Sequence, residues 1–380
     1  MTAFRALGIL AALSGVWLVG CTSERTAAAS PLAFPESTQA RVVDTRVAGE
    51  RLIVRTAMKE VPHPISDPTD PKTVYAFLST GYARRADAAA GMQAILRVEV
   101  FAEQREDLSY ADRVCLYLLR LWDMLSGRLD MDHPLQYRRT VSVFLKRDGR
   151  PGGEQRITVG PDENGRPIKR NTIHIYDIAS LTDPMQICRE LAHEYGHAVL
   201  PAIGGFREPE EWINGLMGER LFLRWLLEEM EAGRIPPAEA FDLQPDTLKT
   251  WLAPRVDRLS AEVLSKGISS PAELRESDRF LGFVLAVDSV YGAKLLGRGL
   301  MLANGNRPED VLKGITQAIG EHEERKLNVP KEANGKPFWT LLPGSGWKLE
   351  GAKLIEARDG GWVRIEPTSS VISVKRPTKP

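Results

Sequence analysis

The sequence predicts an α+β fold: a small mixed sheet with helices against it, then a helical subdomain, then a small C-terminal β appendix. Three observations carry this. Between residues 92 and 232, short stretches of period-two alternation and longer stretches of helical spacing follow one another. Residues 233–334 keep the helical spacing and are broken at GRIPP, APR and NGNRP. The tail, 335–380, returns to alternation around a turn at Asp359-Gly360-Gly361.

The bulk properties suit this architecture. With 380 residues, 43% of them hydrophobic and 26% charged, the chain is globular in composition and has room for more than one domain. Lys plus Arg and Asp plus Glu balance at 50 each, so the formal net charge is zero. That argues against a general nucleic-acid binder, which needs a basic surface.

Residues 1–20 stand apart from the fold. They carry one early basic residue, Arg5, and an apolar run from Ala6 to Val19. The run has the size of a secretory signal and is short for a membrane span. It ends in Leu18-Val19-Gly20-Cys21, which resembles the lipobox of bacterial lipoproteins. The resemblance implies cleavage before Cys21, a lipid on that cysteine and tethering to a membrane of the cell envelope. Thr22 stands where an aspartate would suggest inner-membrane retention, so the periplasmic face of the outer membrane is favoured in a Gram-negative host. An ordinary signal peptide or an uncleaved anchor are the alternatives. Residues 21–40 are small, polar and proline-containing, a flexible tether.

The elements then follow in order. Residues 41–91 are β-rich, with two short strands around Gly49 and a proline-punctuated loop, VPHPISDPTDP, holding His63. QAILRVEVF reads as a strand, SYADRVCLYLLRLWDML as a helix and RTVSVFL as a strand. RDGRPGGEQ and GPDENGRP are turn-rich. NTIHIYDI (171–178) alternates as a half-buried strand decorated by His174. Cys115 and Cys188 fall in helical stretches and read as buried free thiols rather than a disulfide. Trp339, Trp347 and Trp362 crowd into the tail, where they read as its core.

One stretch carries chemistry. RELAHEYGHAVLP (189–201) places His193, Glu194 and His197 in the spacing H-E-x-x-H, in a chain with only six histidines. On a helix, residues four apart share a face, so both imidazoles reach one ion. Glu194 sits one residue round, beside the ion without ligating it, where it can take a proton from water. Thr182-Asp183-Pro184 supplies a cap and a proline at the first helical position, and Gln186 completes a capping-box pattern. Pro201 and Gly204-Gly205 stop the helix. Two surface histidines on an amphipathic helix are the bland alternative.

Across residues 92–232 the order strand, helix, strand, strand, H-E-x-x-H helix resembles the zincin metallopeptidases. The resemblance implies a Zn²⁺ ion, a peptide or protein substrate, Glu194 as general base, and NTIHIYDI as the edge strand that holds an extended substrate. Leu200 and Ile203 rule out the metzincin third histidine, and no aspartate lies between His197 and Asp242. The gluzincin branch takes a glutamate from the next helix, and Glu208, Glu210, Glu211 and Glu219 are available. EWINGLMGE is similar to the W-x-N-E-G stretch of some gluzincins, with Gly215 where their glutamate stands. Glu219 is predicted as the third ligand because it lies in an apolar stretch, where an unpaired carboxylate is costly. Glu211 is the runner-up. Glu190, one turn before His193, is a candidate partner for a ligand histidine. Oxyanion stabilisation is predicted to come from Tyr291, with His322 as the other candidate.

The function implied is a membrane-tethered zinc metallopeptidase. A non-catalytic envelope lipoprotein acting as a binding scaffold and a hydrolase of cell-wall material are the rivals. Retention of Glu194 counts against the scaffold, which has no use for a base.

Overall fold

Alternating stretches rich in Val, Ile, Thr, Phe and Tyr between residues 41 and 176 form one seven-stranded mixed sheet. The computed structural model describes residues 41–47, 50–85, 96–131, 140–161, 166–206 and 210–376. The signal segment, Cys21 and the tether lie outside these residues, as does Glu208. Strands β1 (Arg41–Val47), β2 (Glu50–Ser66), β3 (Val74–Arg85) and β4 (Leu96–Ala102) pair antiparallel in sequence. Next come β5 (Thr140–Leu145), β6 (Gly152–Pro161) and β7 (Pro167–Tyr176). β5 runs parallel to β4, β7 runs parallel to β5, and β6 is the antiparallel outer strand beside β7.

A parallel pair needs a crossover, and helix α1 (Leu108–Leu129) supplies the one between β4 and β5. Its Leu116-Tyr117-Leu118-Leu119 run is buried because the helix lies between the sheet and other helices. Val98, Val100, Val141, Val143, Ile173 and Ile175 face it in one continuous core. The opposite face of the sheet carries Tyr75, Leu78, Phe101 and Phe144 as a second cluster. His174 is fully buried on that side, stacked on Phe144 with its Nε2 3.2 Å from Asp67 Oδ1, so it does not decorate an exposed strand.

Helix α2 (Pro184–Val199) crosses α3 (Asn214–Glu231) at two glycines. A methyl group on Gly218 would come within 2.5 Å of Gly196 Cα, and one on Gly196 within 2.7 Å of the Asn214 carbonyl. Only glycine permits that approach. Helices α4 (Pro245–Leu252), α5 (Arg258–Lys266), α6 (Ser277–Tyr291), α7 (Ala293–Leu302) and α8 (Pro308–Gly320) follow. No helix among the described residues is long and apolar enough to cross a membrane.

The tail is larger than a hairpin. It comprises β8 (Glu324–Asn328), β9 (Phe338–Leu341), β10 (Lys348–Glu350), β11 (Ala352–Ala357), β12 (Trp362–Pro367) and β13 (Val371–Lys375). These make two three-stranded sheets, ordered β10-β13-β8 and β11-β12-β9. The predicted turn at 359–361 joins β11 to β12. Trp339 and Trp362 are buried in the same core as the helices, and Trp347 packs against it. Residues 35–380 accordingly form one unit, with β8 drawn from before residue 335.

Candidate metal centre

Local sequence builds the scaffold first. Asp183 caps α2, its side chain accepting from the Met185 N–H at 3.0 Å, and Pro184 sits at the first helical position. Gln186 does not complete the capping box; its side chain accepts from Arg189 Nε. The helix runs to Val199. His193 and His197 therefore share one face, with ring centroids 5.0 Å apart and planes at 76°.

Each imidazole is held from behind. His193 Nδ1 lies 3.0 Å from Glu219 Oε2, and His197 Nδ1 lies 3.0 Å from Asn214 Oδ1. Asn214 is fixed in turn, its amide donating to the carbonyls of His197 and Leu200. Carboxylate and amide oxygens accept, so both Nδ1 atoms carry protons and the Nε2 atoms are the ones a metal would use; on His193 that Nε2 donates to Glu210, and a metal would take the proton's place. The two Nε2 atoms converge on Glu210, at 3.0 Å for His193 and 3.9 Å for His197. One donor atom from each of His193, His197 and Glu210 lies within 4.8 Å of the others. A His₂Glu set of this kind suits zinc.

Among the described residues Glu210, rather than the predicted Glu219, stands with the converging nitrogens. Glu219 is buried, as its apolar neighbours indicated, but it serves the far edge of His193 rather than the converging atoms. It also pairs with Arg220 and Arg189. Glu211, the runner-up, is exposed and outside the converging group. Glu210 comes from a hairpin before α3, closed by a Gly204–Trp212 bridge and by Ile213 N–H donating to the Ile203 carbonyl. Gly215 explains why the helix cannot supply the ligand at that point. A methyl group there would lie 2.3 Å from His197 Nε2 and 2.7 Å from His193 Nε2, inside the space where the donors meet.

Glu194 faces the same cleft and is 5% exposed. Burial pushes its pKa up to about 7, helped by Glu190 and Glu210 and opposed by His193 and a backbone hydrogen bond from Gln155. Burial disfavours a charged His193, but hydrogen bonds to Glu210 and Glu219 outweigh it and push its pKa up to about 10. Burial and the neighbouring His193 charge hold His197 below its usual value. Glu219 is raised by burial but brought below the usual range by His193, Arg220 and Arg189.

The strand beside the site is β6, not the predicted NTIHIYDI, which is the interior strand β7. β6 lies directly on the helix: a methyl group on Gly153 would come 2.7 Å from Glu194 Cγ and 3.1 Å from Glu190 Oε1. Glu190 pairs with Arg189 at 2.7 Å and borders Gly153, rather than supporting a histidine. Between β6, α2 and the Glu210 hairpin runs a cleft of about 680 Å³.

Tyr291 is not in this cleft. It ends α6, where its hydroxyl donates to the Leu341 carbonyl and accepts from Thr340, tying that helix to β9. It packs against the core there, and burial raises its pKa. His322 is exposed beside Glu321 at the end of α8, also away from the cleft. Cys115 and Cys188 are buried free thiols. Neither a family-model scan nor a search of curated proteins returned a match for this chain.

Proposed function

We propose that this chain is a zinc metallopeptidase of the zincin type, with His193, His197 and Glu210 as ligands and Glu194 as general base. The observation that carries the reading is the convergence of two imidazole Nε2 atoms and one carboxylate beside a buried Glu194, in an open cleft. The fit to zinc rests on the donor set and on the occupied Nδ1 atoms, which leave the two Nε2 atoms for the metal, His193 giving up its Nε2 proton on binding. When bound, zinc supplies Lewis acidity toward the scissile carbonyl and lowers the pKa of the attacking water.

The chain's own residues do the rest. Among the described residues β6 pairs with β7 alone, so its other edge is open to an extended peptide adding as a further strand. Glu194 takes a proton from water as the water oxygen bonds to the carbonyl carbon. The same carboxyl returns that proton to the amide nitrogen as the C–N bond breaks. Glu219 and Asn214 hold the two rings in register.

Elemental analysis and peptide-library cleavage test the reading together. The parent should hold one zinc and cleave peptides. Glu194→Gln should keep the zinc and the fold and lose about 10²–10⁴-fold in turnover. A variant that cleaves at the parent's rate would exclude Glu194 as the base, and a parent that binds no zinc would sink the assignment. The LVGC stretch further motivates an envelope tether through Cys21. Cys21→Ser should leave the membrane fraction; unchanged attachment and processing would rule lipidation out.

A further inference from the structure

The geometry points to an acid-sensitive latch on the face of the sheet opposite α1: Asp67 holds the β2–β3 connection shut over His174, and the connection opens as that imidazole takes a proton. The latch is independent of the metal reading.

His174 lies near the end of β7, in register with Phe144 of β5 and Glu154 of β6, and is fully buried. The connection above it folds back on itself. The Asp67 N–H donates to the Thr73 carbonyl at 2.9 Å, and the Thr73 N–H to the Asp70 carbonyl at 3.0 Å. From this turn the buried Asp67 side chain reaches His174 Nε2 at 3.2 Å. The carboxylate accepts, so Nε2 carries the proton of the neutral ring. Nδ1 is then the atom a second proton would join. Among the described residues it is buried and has no hydrogen-bond partner.

The acids that face the ring are already engaged. Asp67 Oδ1 also takes the Thr69 N–H and hydroxyl, and Oδ2 takes the Tyr75 hydroxyl. Asp70, on the same connection, meets Thr73 and Lys146. Glu154 meets Arg156 and the Tyr176 hydroxyl. Burial, joined by the charges of Arg156 and Lys146, outweighs the pull of Asp67 and holds His174 below the usual histidine value.

The closed connection therefore excludes the proton, because a charged Nδ1–H would be buried without an acceptor. Opening brings water to the ring and lets the proton bind. The closed form keeps its full advantage above the open-state value of about 6.5 and loses it as pH falls through that value toward the lower closed-state one. The three facing carboxylates lie below their ordinary values, and Tyr75 and Tyr176 above theirs, so they titrate outside this window. The segment can lift without unfolding the sheet. The β2–β3 ladder beside it is irregular between Glu60 and Ile65, and Pro68, Pro71 and Lys72 are exposed.

Hydrogen exchange of the full chain tests the latch, each amide's rate being divided by its intrinsic rate at the same pH. From pH 7 to pH 5, opening read at the Asp67 and Thr73 amides should rise severalfold, to at most about 25-fold for one proton with an open-state value of about 6.5. The Ile315 amide of α8 should not change. His174→Gln keeps an amide that can donate to Asp67 and takes no proton, so its rise should vanish. His63→Gln, on β2, should keep the rise. A parent whose Asp67 and Thr73 amides open equally at both pH values overturns the latch, whether or not His174→Gln folds. An equal rise at Ile315 overturns it as well, since the proton then acts on global unfolding. A rise that survives His174→Gln, or is lost in His63→Gln, overturns it by assigning the proton to another group.

Discussion

A carboxylate as buried as Glu219, 2% exposed, needs partners, and it has His193, Arg189 and Arg220. Sequence could read the need, because Met217, Leu221 and Phe222 flank it, but not which imidazole nitrogen would meet it. That choice depends on the crossing of two helices. His193, Glu194 and His197 were legible because their spacing is local to one helix. Glu210 was hidden because a hairpin, closed by a bridge between Gly204 and Trp212, brings it to the site. The two glutamates therefore separate by experiment. Glu210→Ala should lower zinc affinity by more than the roughly 10–100-fold expected when a ligand loses its supporting partner. Glu219→Gln should stay within that range. The reverse order in a chelator competition would return the ligand role to Glu219.

At the scale of elements, the α2–α3 crossing sets the site. Glycines allow the close approach: Gly218 against Gly196, and Gly215 against the imidazoles. Gly218→Ala has nowhere to place its methyl group and should cost about 1–3 kcal/mol as overpacking, read as a lower melting temperature. Gly320→Ala, whose methyl group would approach nothing closer than 3.9 Å, should melt like the parent. Equal melting of both variants would show that the helices separate freely. The edge strand was misread at this scale. Gly152-Gly153 and the surrounding turn residues looked like a loop, yet they begin β6 and cover β7. Glycine there is needed because the strand rests on Glu194, a reason invisible until the helix is in place.

For the whole molecule, one buried acid adds a side-chain tie between the β2–β3 connection and the interior of the sheet, beside the β3–β4 ladder. Asp67, 2% exposed, accepts from Thr69 and Tyr75, meets His174 and lies 3.7 Å from Lys146. Burial would raise its pKa, but these partners bring it from 3.8 down to about 2. A depressed carboxylate stabilises the fold above its unfolded value and loses that contribution as pH falls through the folded one. The window is pH 4 to 2, and the loss is about 2 kcal/mol. Urea midpoints of the parent and Asp67→Asn should differ at pH 5 and converge toward pH 2. A gap that is constant with pH would remove Asp67 from the acid response. The broad order of sheet, helices and β tail was legible from periodicity alone. The shared core was not: Trp339 and Trp362 fill it from the far end of the chain, and residue spacing carries no record of such distant packing.

The Glu210 hairpin has a kinetic consequence. Two of the three proposed donors ride on a 16-residue helix, and the third, Glu210, stands before α3 on a separate segment tied by the Gly204–Trp212 bridge and by the Ile213 N–H to the Ile203 carbonyl. Tightness of holding and speed of letting go are then set by different elements. The helix would keep its pair of imidazoles aligned around a bound ion, while displacement of Glu210 would limit how fast that ion departs. Under excess chelator, zinc loss should reach a plateau rate that no longer rises with chelator, and Glu210→Ala should lose that plateau. Loss that keeps rising in proportion to chelator in the parent would mean that the hairpin is no gate.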